Sequence, residues 1–181
     1  MASRRFKEGL AAGIVLISIQ PTCHAIDSVS FEFATGNKTE ITRIGAQWDW
    51  QRRWRQVDGT HIGGNWDLTL AQWRQQRYLD TPDNTRKLVA IGITPVFRWQ
   101  RNDQNGLYAE AGAGAHYLSV RYNNNARRLS TNFQFASHIG VGYVFDSQLD
   151  ICMKIQHISN GGIEKPNGGV NFAVVRVTYR F

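Results

Sequence analysis

The chain has 181 residues, 21 Lys/Arg against 14 Asp/Glu, a net charge of +7 and two cysteines, Cys23 and Cys152. Beyond residue 25 it never offers the roughly 20 consecutive apolar residues of a membrane helix. Its basic residues are scattered among turns rather than gathered on one face, which argues against nucleic-acid binding.

The first segment reads as a secretory signal. Arg4, Arg5 and Lys7 form a basic start, and the apolar run 9–19 is too short to span a bilayer. Pro21 ends the run, and Cys23 and Ala25 occupy the −3 and −1 positions of a small-x-small cleavage site. Cleavage after Ala25 leaves one domain, residues 26–181, with 18 basic and 13 acidic side chains and a net charge of +5. Cys152 then stands alone, so neither an intramolecular disulfide nor a cysteine metal site is expected. For an exported chain, that positive balance points to an anionic membrane surface.

Eight alternating segments follow, separated by turn-forming residues. The first, about 27–35, sets Val29, Phe31 and Phe33 against Ser28, Ser30 and Glu32. The second, about 41–51, sets Ile44, Ala46, Trp48 and Trp50 against Arg43, Gln47 and Asp49. The third, about 62–73, sets Trp66, Leu68 and Leu70 against Asn65, Asp67 and Thr69. In the fourth, about 88–100, Val89, Ile91, Ile93, Phe97 and Trp99 share a face with Pro95, which predicts a bulge there. The fifth, about 107–121, is alanine-rich on one face and carries Tyr108, Glu110 and His116 on the other. A polar, basic loop, 122–128, leads to the sixth, about 131–145, with Phe133, Phe135, Ile139, Val141 and Tyr143 on one side. The seventh leads into residues 155–172, and the eighth spans 170–181.

Eight strands of about ten residues, apolar on one face and polar or glycine on the other, fit a small transmembrane β-barrel. Aromatic residues gather near strand ends, as an interfacial girdle requires, and Ala173, Val175, Val177, Tyr179 and Phe181 make an apolar face ending on an aromatic. The predicted fold is an all-β, eight-stranded antiparallel barrel of the outer membrane. Arg43, Asp49, Asp67, Glu110, Lys154 and Arg176 point into it and pair there, filling a lumen too narrow for transport.

One stretch breaks the pattern. Leu149, Ile151, Met153 and Ile155 form an oily face, and its next two members are His157 and Ser159. Extending the outer face of the last strand backwards adds Asn171, which the hairpin returns towards His157. Free serine is a poor nucleophile and needs a base that is itself oriented by a third group. The oxyanion formed on attack needs donors, for which Asn160 and the amides of Gly161 and Gly162 are candidates. Spacing alone serves two readings, an esterase and a strand leaving the membrane.

The run His157-Ile158-Ser159-Asn160-Gly161-Gly162, followed by Lys165-Pro166-Asn167, resembles the hallmark of the lipid A deacylases of the PagL family. Further similarity lies in Trp48-Asp49-Trp50, Asn65-Trp66-Asp67, Pro95-Val96-Phe97, residues 110–114 and Asn132-Phe133, in matching order along the chain. The resemblance implies a cofactor-free outer-membrane esterase that removes the 3-hydroxyacyl chain at position 3 of lipid A, the lipid anchor of lipopolysaccharide. It implies Ser159 as nucleophile, His157 as general base, and Asn160 with the Gly162 amide as oxyanion donors. One position departs from the family: its glutamate, fourteen residues after the histidine, is Asn171 here. Asparagine orients an imidazole but brings no charge to stabilise imidazolium.

Other polar residues read as structural: His138 and His116 as interior histidines, and His61 as a loop residue before the third strand. Arg127-Arg128 suits lipid A phosphates or simply a solvated loop. The competing functions are a silent structural or adhesive barrel and a lipid A acyltransferase, and a homodimer is left open.

Overall fold

A computed structural model describes residues 25–181; the expected signal, 1–25, lies outside these but for Ala25. Eleven strands follow one another among the described residues: β1 (Ser28–Gly36), β2 (Thr39–Asp49), β3 (Trp54–Val57), β4 (Thr60–Gln75), β5 (Arg86–Arg101), β6 (Gly106–Leu118), β7 (Asn123–Asn124), β8 (Arg127–Arg128), β9 (Phe133–Val144), β10 (Leu149–Ser159) and β11 (Val170–Arg180). Eight of them make an antiparallel barrel in the order β2-β1-β11-β10-β9-β6-β5-β4. Pairing of β2 with β4, from Thr39↔Gln75 to Asp49↔Asn65, closes it. The expected all-β, eight-stranded barrel is the observed one. Closure removes every long unpaired edge, which is what a short, strongly alternating chain needs.

The period-2 pattern sorts the side chains as anticipated. Val29, Phe31 and Phe33 of β1, Ile151, Met153 and Ile155 of β10, and Val175, Val177 and Tyr179 of β11 all face outward and are exposed. Their neighbours face in and are buried.

The interior has two layers. In the middle of the barrel, Glu32 accepts from Arg43 and, at 2.5 Å, from Lys154. Glu110 joins Arg176 at 2.6 Å and Arg98 at 3.2 Å, and Arg98 reaches Asp150 at 2.8 Å. Of the six inward charges expected, Arg43, Lys154, Glu110 and Arg176 pair as ions, while Asp67 accepts from Gln47. Asp49 instead sits half-buried at the rim, 3.3 Å from Arg180.

Above that layer, at the end of the barrel away from the chain termini, the lumen is apolar. Trp73 is fully buried against Phe172 and Tyr122, with Ile41, Leu118, Leu129 and Ile158 around them. Charge and glycine alone had been expected to fill the lumen. Trp73 has the opposite strand parity from Trp66, and its indole plugs the barrel mouth.

Three further expectations are corrected. Pro95 makes no bulge: Ile93↔Ala115 and Val96↔Gly112 advance three residues on each strand, and Trp66↔Pro95 is in register on the other side. The proline removes one ladder donor without inserting a residue. His61 belongs to β4 rather than to a loop, and its ring is buried beside Gln100 and Asn102. Trp50 leaves the second strand, which ends at Asp49, and packs edge-on against Trp54, Trp66 and Phe97.

The basic loop is also more ordered than its composition suggests. Tyr122 and Asn124 are buried, Asn123↔Arg128 and Asn124↔Arg127 form the two-rung β7–β8 hairpin, and Asn124 bonds to the 37–39 turn.

Candidate active site

β10 and β11 present the candidate residues from a rigid base. Register pairs Ile155 with Ala173, His157 with Asn171 and Ile158 with Val170. His157 and Asn171 point outward, while Ile158 between His157 and Ser159, and Phe172 beside Asn171, are buried in the apolar plug. Inward anchors thus hold the backbone from which the outward polar groups hang.

Oδ1 of Asn171 lies 2.7 Å from Nδ1 of His157. A carboxamide oxygen only accepts, so Nδ1 carries the hydrogen and Nε2 is left with a free lone pair. That is the tautomer a general base requires. Gly169 closes the other side of the ring. Its φ is +55°, and a Cβ there would stand 2.7 Å from Cε1 of His157. Glycine both permits the left-handed backbone and admits the imidazole.

Ser159 ends β10, half-buried, with Phe135 of β9 as its register partner. It shares the outward face with His157, although no hydrogen bond joins the two among the described residues. The expected constellation is therefore partly assembled: His157 and Asn171 are bonded, and Ser159 stands two residues along the same face.

Asn160 is fully buried and organises the 160–169 loop. Its backbone N–H donates to Oδ1 of Asn167 at 3.1 Å, and its Nδ2 donates to the Glu164 carbonyl at 2.7 Å. Its Oδ1 accepts from the Gly162 amide at 2.9 Å, so that amide is already engaged. One Nδ2 hydrogen stays unspent, and the Gly161 amide finds no acceptor among the described residues. Gly161 has φ +66° and faces the Phe135 ring.

The β7–β8 hairpin clasps this loop. Leu129 bridges Asn167, Gly168 donates to the Arg128 carbonyl at 2.9 Å, and Ser130 donates to the Pro166 carbonyl at 2.5 Å.

The sequence reading passed over Ser137. It is the β9 register partner of His157, exposed on the same outward face, so His157 is flanked by Ser137 on one strand and Asn171 on the other. The signal was available: Ser137 interrupts the oily face between Phe135 and Ile139 just as His157 interrupts that of β10.

Two surface features adjoin the site. An open pocket of about 430 Å³ with a mixed polar and apolar lining is bounded by Asn37, Arg127, His157, Gly168, Gly169, Val170 and Asn171. Towards the barrel waist, an apolar groove of about 500 Å³ runs between Phe33, Ile139, Met153, Ile155, Ala173 and Val175. Small Ala173 opens the groove directly beside the His157–Asn171 pair.

Comparison with known proteins bears on the family and the fold. Residues 41–180 match the family model described as Lipid A 3-O-deacylase (PagL). Lipid A deacylase PagL of Bordetella bronchiseptica is 32% identical over 123 residues, 66% of this chain and 67% of that one. Its namesake from Pseudomonas aeruginosa is 27% identical over 139 residues, 76% of each chain. The crystal structure of the outer membrane enzyme PagL superposes with a TM-score of 0.73 at 22% identity, covering 85% of this chain and 99% of that one. Neisserial surface protein A superposes at 0.53 with 14% identity, covering 85% and 94%. At those identities the two structures speak for the fold alone. The family model runs from within β2 to the end of β11 and so includes the His157–Asn171 hairpin, and the chain belongs to the PagL family of lipid A 3-O-deacylases.

Proposed function

We propose that this chain is an outer-membrane esterase that cleaves the ester at position 3 of lipid A from the lipid-facing side of its barrel. The observation that carries this reading is the His157–Asn171 bond on an outward, otherwise apolar face. The ester of a lipid lies at the boundary between sugar and tail, and the site stands between a pocket that carries Asn37, Arg127 and Asn171 and an oily groove. The sugar side fits the pocket, and the acyl chain follows the groove past Ala173.

In the reaction, Oγ of Ser159 attacks the ester carbonyl carbon while Nε2 of His157 takes the hydroxyl proton. The carbonyl oxygen becomes an oxyanion, for which the unspent Nδ2 hydrogen of Asn160 and the Gly161 amide are the available donors. Gly162, whose amide holds Asn160 Oδ1, acts by fixing the Asn160 carboxamide, and donates directly only if that bond opens. Collapse of the intermediate breaks the ester C–O bond, and His157 returns the proton to the departing sugar oxygen. Water, deprotonated in turn by His157, releases the fatty acid and restores Ser159. Each step uses the chain's own groups and needs no cofactor.

Bringing the Ser159 side chain, at the end of β10, to His157 is the one movement this scheme requires. Hydrogen bonds of this kind commonly tighten only when substrate is bound.

The test is a mass spectrum of lipid A from cells producing the wild-type chain or Ser159→Ala. Loss of one 3-hydroxyacyl chain with the wild type alone supports the reading. An unchanged spectrum from a folded wild-type barrel overturns it, and a gain in mass would indicate acyl transfer.

A further inference from the structure

The pocket beside His157 is lined by one arginine, Arg127, and its setting differs from that of the arginine next to it. Arg128 reaches the Asp80 carboxylate at 3.4 Å. Arg127 has no salt bridge among the described residues; its Nη1 donates to the neutral Gly168 carbonyl at 2.7 Å. Its side chain is exposed and crosses Gly168, where a Cβ would come within 3.3 Å of its Cδ. The guanidinium is thus held in place by a bond that spends one of its five donors and none of its charge.

The rest of the pocket supplies no counter-charge. Asn37, Asn171, Gly168 and Gly169 are neutral, and His157 is satisfied by Asn171. Asp80, which holds the Ala126 amide and Arg128 on either side of Arg127, makes no ion pair with Arg127, and neither does exposed Glu164 of the adjoining loop. A fixed guanidinium without an ion pair among the described residues, opening onto this pocket, suits an oxyanion that accepts two parallel N–H bonds.

We infer that Arg127 binds a phosphomonoester of the lipid substrate's own sugar backbone and so selects phosphorylated lipid for cleavage at Ser159. This rests on the esterase reading given above. Lipid A joins ester-linked chains to a phosphorylated glucosamine pair, so a phosphate gripped at Arg127 fixes the sugar while the ester meets the neighbouring serine. Binding energy gathered away from the reacting carbon then orients that carbon.

The experiment compares lipid A with the same lipid A stripped of its phosphates, using the full chain folded in neutral detergent micelles. The wild type should show a kcat/KM about tenfold higher for the phosphorylated lipid, the scale of one charge-assisted pair. Arg127→Gln should lose that preference, its two kcat/KM values converging, and Arg127→Lys should keep part of it. Equal slowing on both lipids would mean that Arg127 only props the Gly168 carbonyl, and would overturn the inference. So would a wild type without preference, although its cleavage of both lipids would leave the esterase reading standing.

Two further arms separate the remaining cases. Doping the micelles with phosphatidylglycerol should not speed cleavage of stripped lipid; an Arg127-dependent gain would assign the anion to a neighbouring lipid and sink the idea. Equilibrium binding to the Ser159→Ala chain reads the phosphate preference without hydrolysis. If the wild type cleaves neither lipid, tighter binding of the phosphorylated one, lost in Arg127→Gln, still upholds Arg127, and equal binding rejects it.

Discussion

His157 Nδ1 and Asn171 Oδ1 stand 2.7 Å apart on directly paired residues of adjacent strands. The bond sets the ring's tautomer and rotation, but the partner is neutral where the family carries a glutamate. Asn171→Ala should therefore lower kcat by roughly 10- to 100-fold with little change in KM, because a base is lost from position rather than from the site. Asn171→Glu should raise kcat, since a carboxylate stabilises the imidazolium that forms as the serine attacks. Rates on micellar lipid A across pH decide both, and an Asn171→Ala enzyme as fast as the wild type would remove Asn171 from the site.

Gly169 is the second wall of the imidazole. Gly169→Ala introduces a methyl 2.7 Å from Cε1 of His157 at a φ of +55°. A displaced base of this kind costs about 10²-fold, so kcat should fall on that scale while the barrel stays folded. The contrast is Gly162→Ala, where φ is +86° but nothing lies within 4 Å of the new methyl. Only backbone strain of about 1–2 kcal/mol applies there, and a thermal melt in detergent should register it.

Asn160→Ala removes three things together: the Glu164 carbonyl's donor, the Gly162 amide's acceptor and one candidate oxyanion donor. Activity should drop by roughly 10²–10³-fold, as for other lost oxyanion donors. Asn160→Asp keeps the acceptor for Gly162 and loses the donor. That variant also loses the bond to the Glu164 carbonyl, so a thermal melt is read beside the rate: a slower enzyme that melts like the wild type assigns the loss to the oxyanion, and a rate that falls only with the melting temperature makes Asn160 a loop staple.

In the barrel's middle, Glu110 accepts from both Arg98 and Arg176 and leaves them short of a counter-charge if removed. Glu110→Ala should destabilise the fold by about 3–5 kcal/mol, the usual cost of breaking one side of a buried ionic network. Urea unfolding in micelles measures this. A change under about 1 kcal/mol would mean that Asp150, already 2.8 Å from Arg98, takes over the charge.

Asp80 ties the β7–β8 hairpin to the neighbouring loop. The Ala126 amide, donating at 2.5 Å, and then Arg128 hold its carboxyl below the usual carboxylate range. A depressed native value means that this tie is present above the ordinary carboxylate pKa and is lost as pH falls through the native one. The Ala126 amide resonance should accordingly titrate on the acid side of an ordinary aspartate. At neutral pH, Asp80→Asn should expose Arg127 and Arg128 to faster tryptic cleavage.

The barrel was legible because alternation is a local property: Phe31 and Glu32, or Met153 and Lys154, declare their faces without reference to the rest of the chain. The same logic exposed His157 and Ser159 as intruders on an oily face. What alternation does not carry is which residues meet across the lumen. Trp73 sits on the inward face, yet its partners Tyr122 and Phe172 come from distant segments, so the apolar plug stayed hidden. Ser137 was readable by the same rule that found His157, and became significant only once register set the two side by side. The β7–β8 hairpin is short, polar and held by single bonds to other loops, a pattern with no sequence period to read. Pro95 shows the reverse case, a strong local signal that the flanking ladders override.

His157, Ser159 and Asn171 all face away from the lumen, and the lumen behind them is stoppered by Trp73 and Phe172. On the esterase reading proposed above, a substrate crosses no gorge and waits for no gate. It arrives by sideways drift within its own leaflet, so the encounter is two-dimensional. Turnover should then follow the areal density and packing of neighbouring lipids rather than any bulk concentration, which makes the fluidity of the surrounding sheet a rate-setting variable for this barrel.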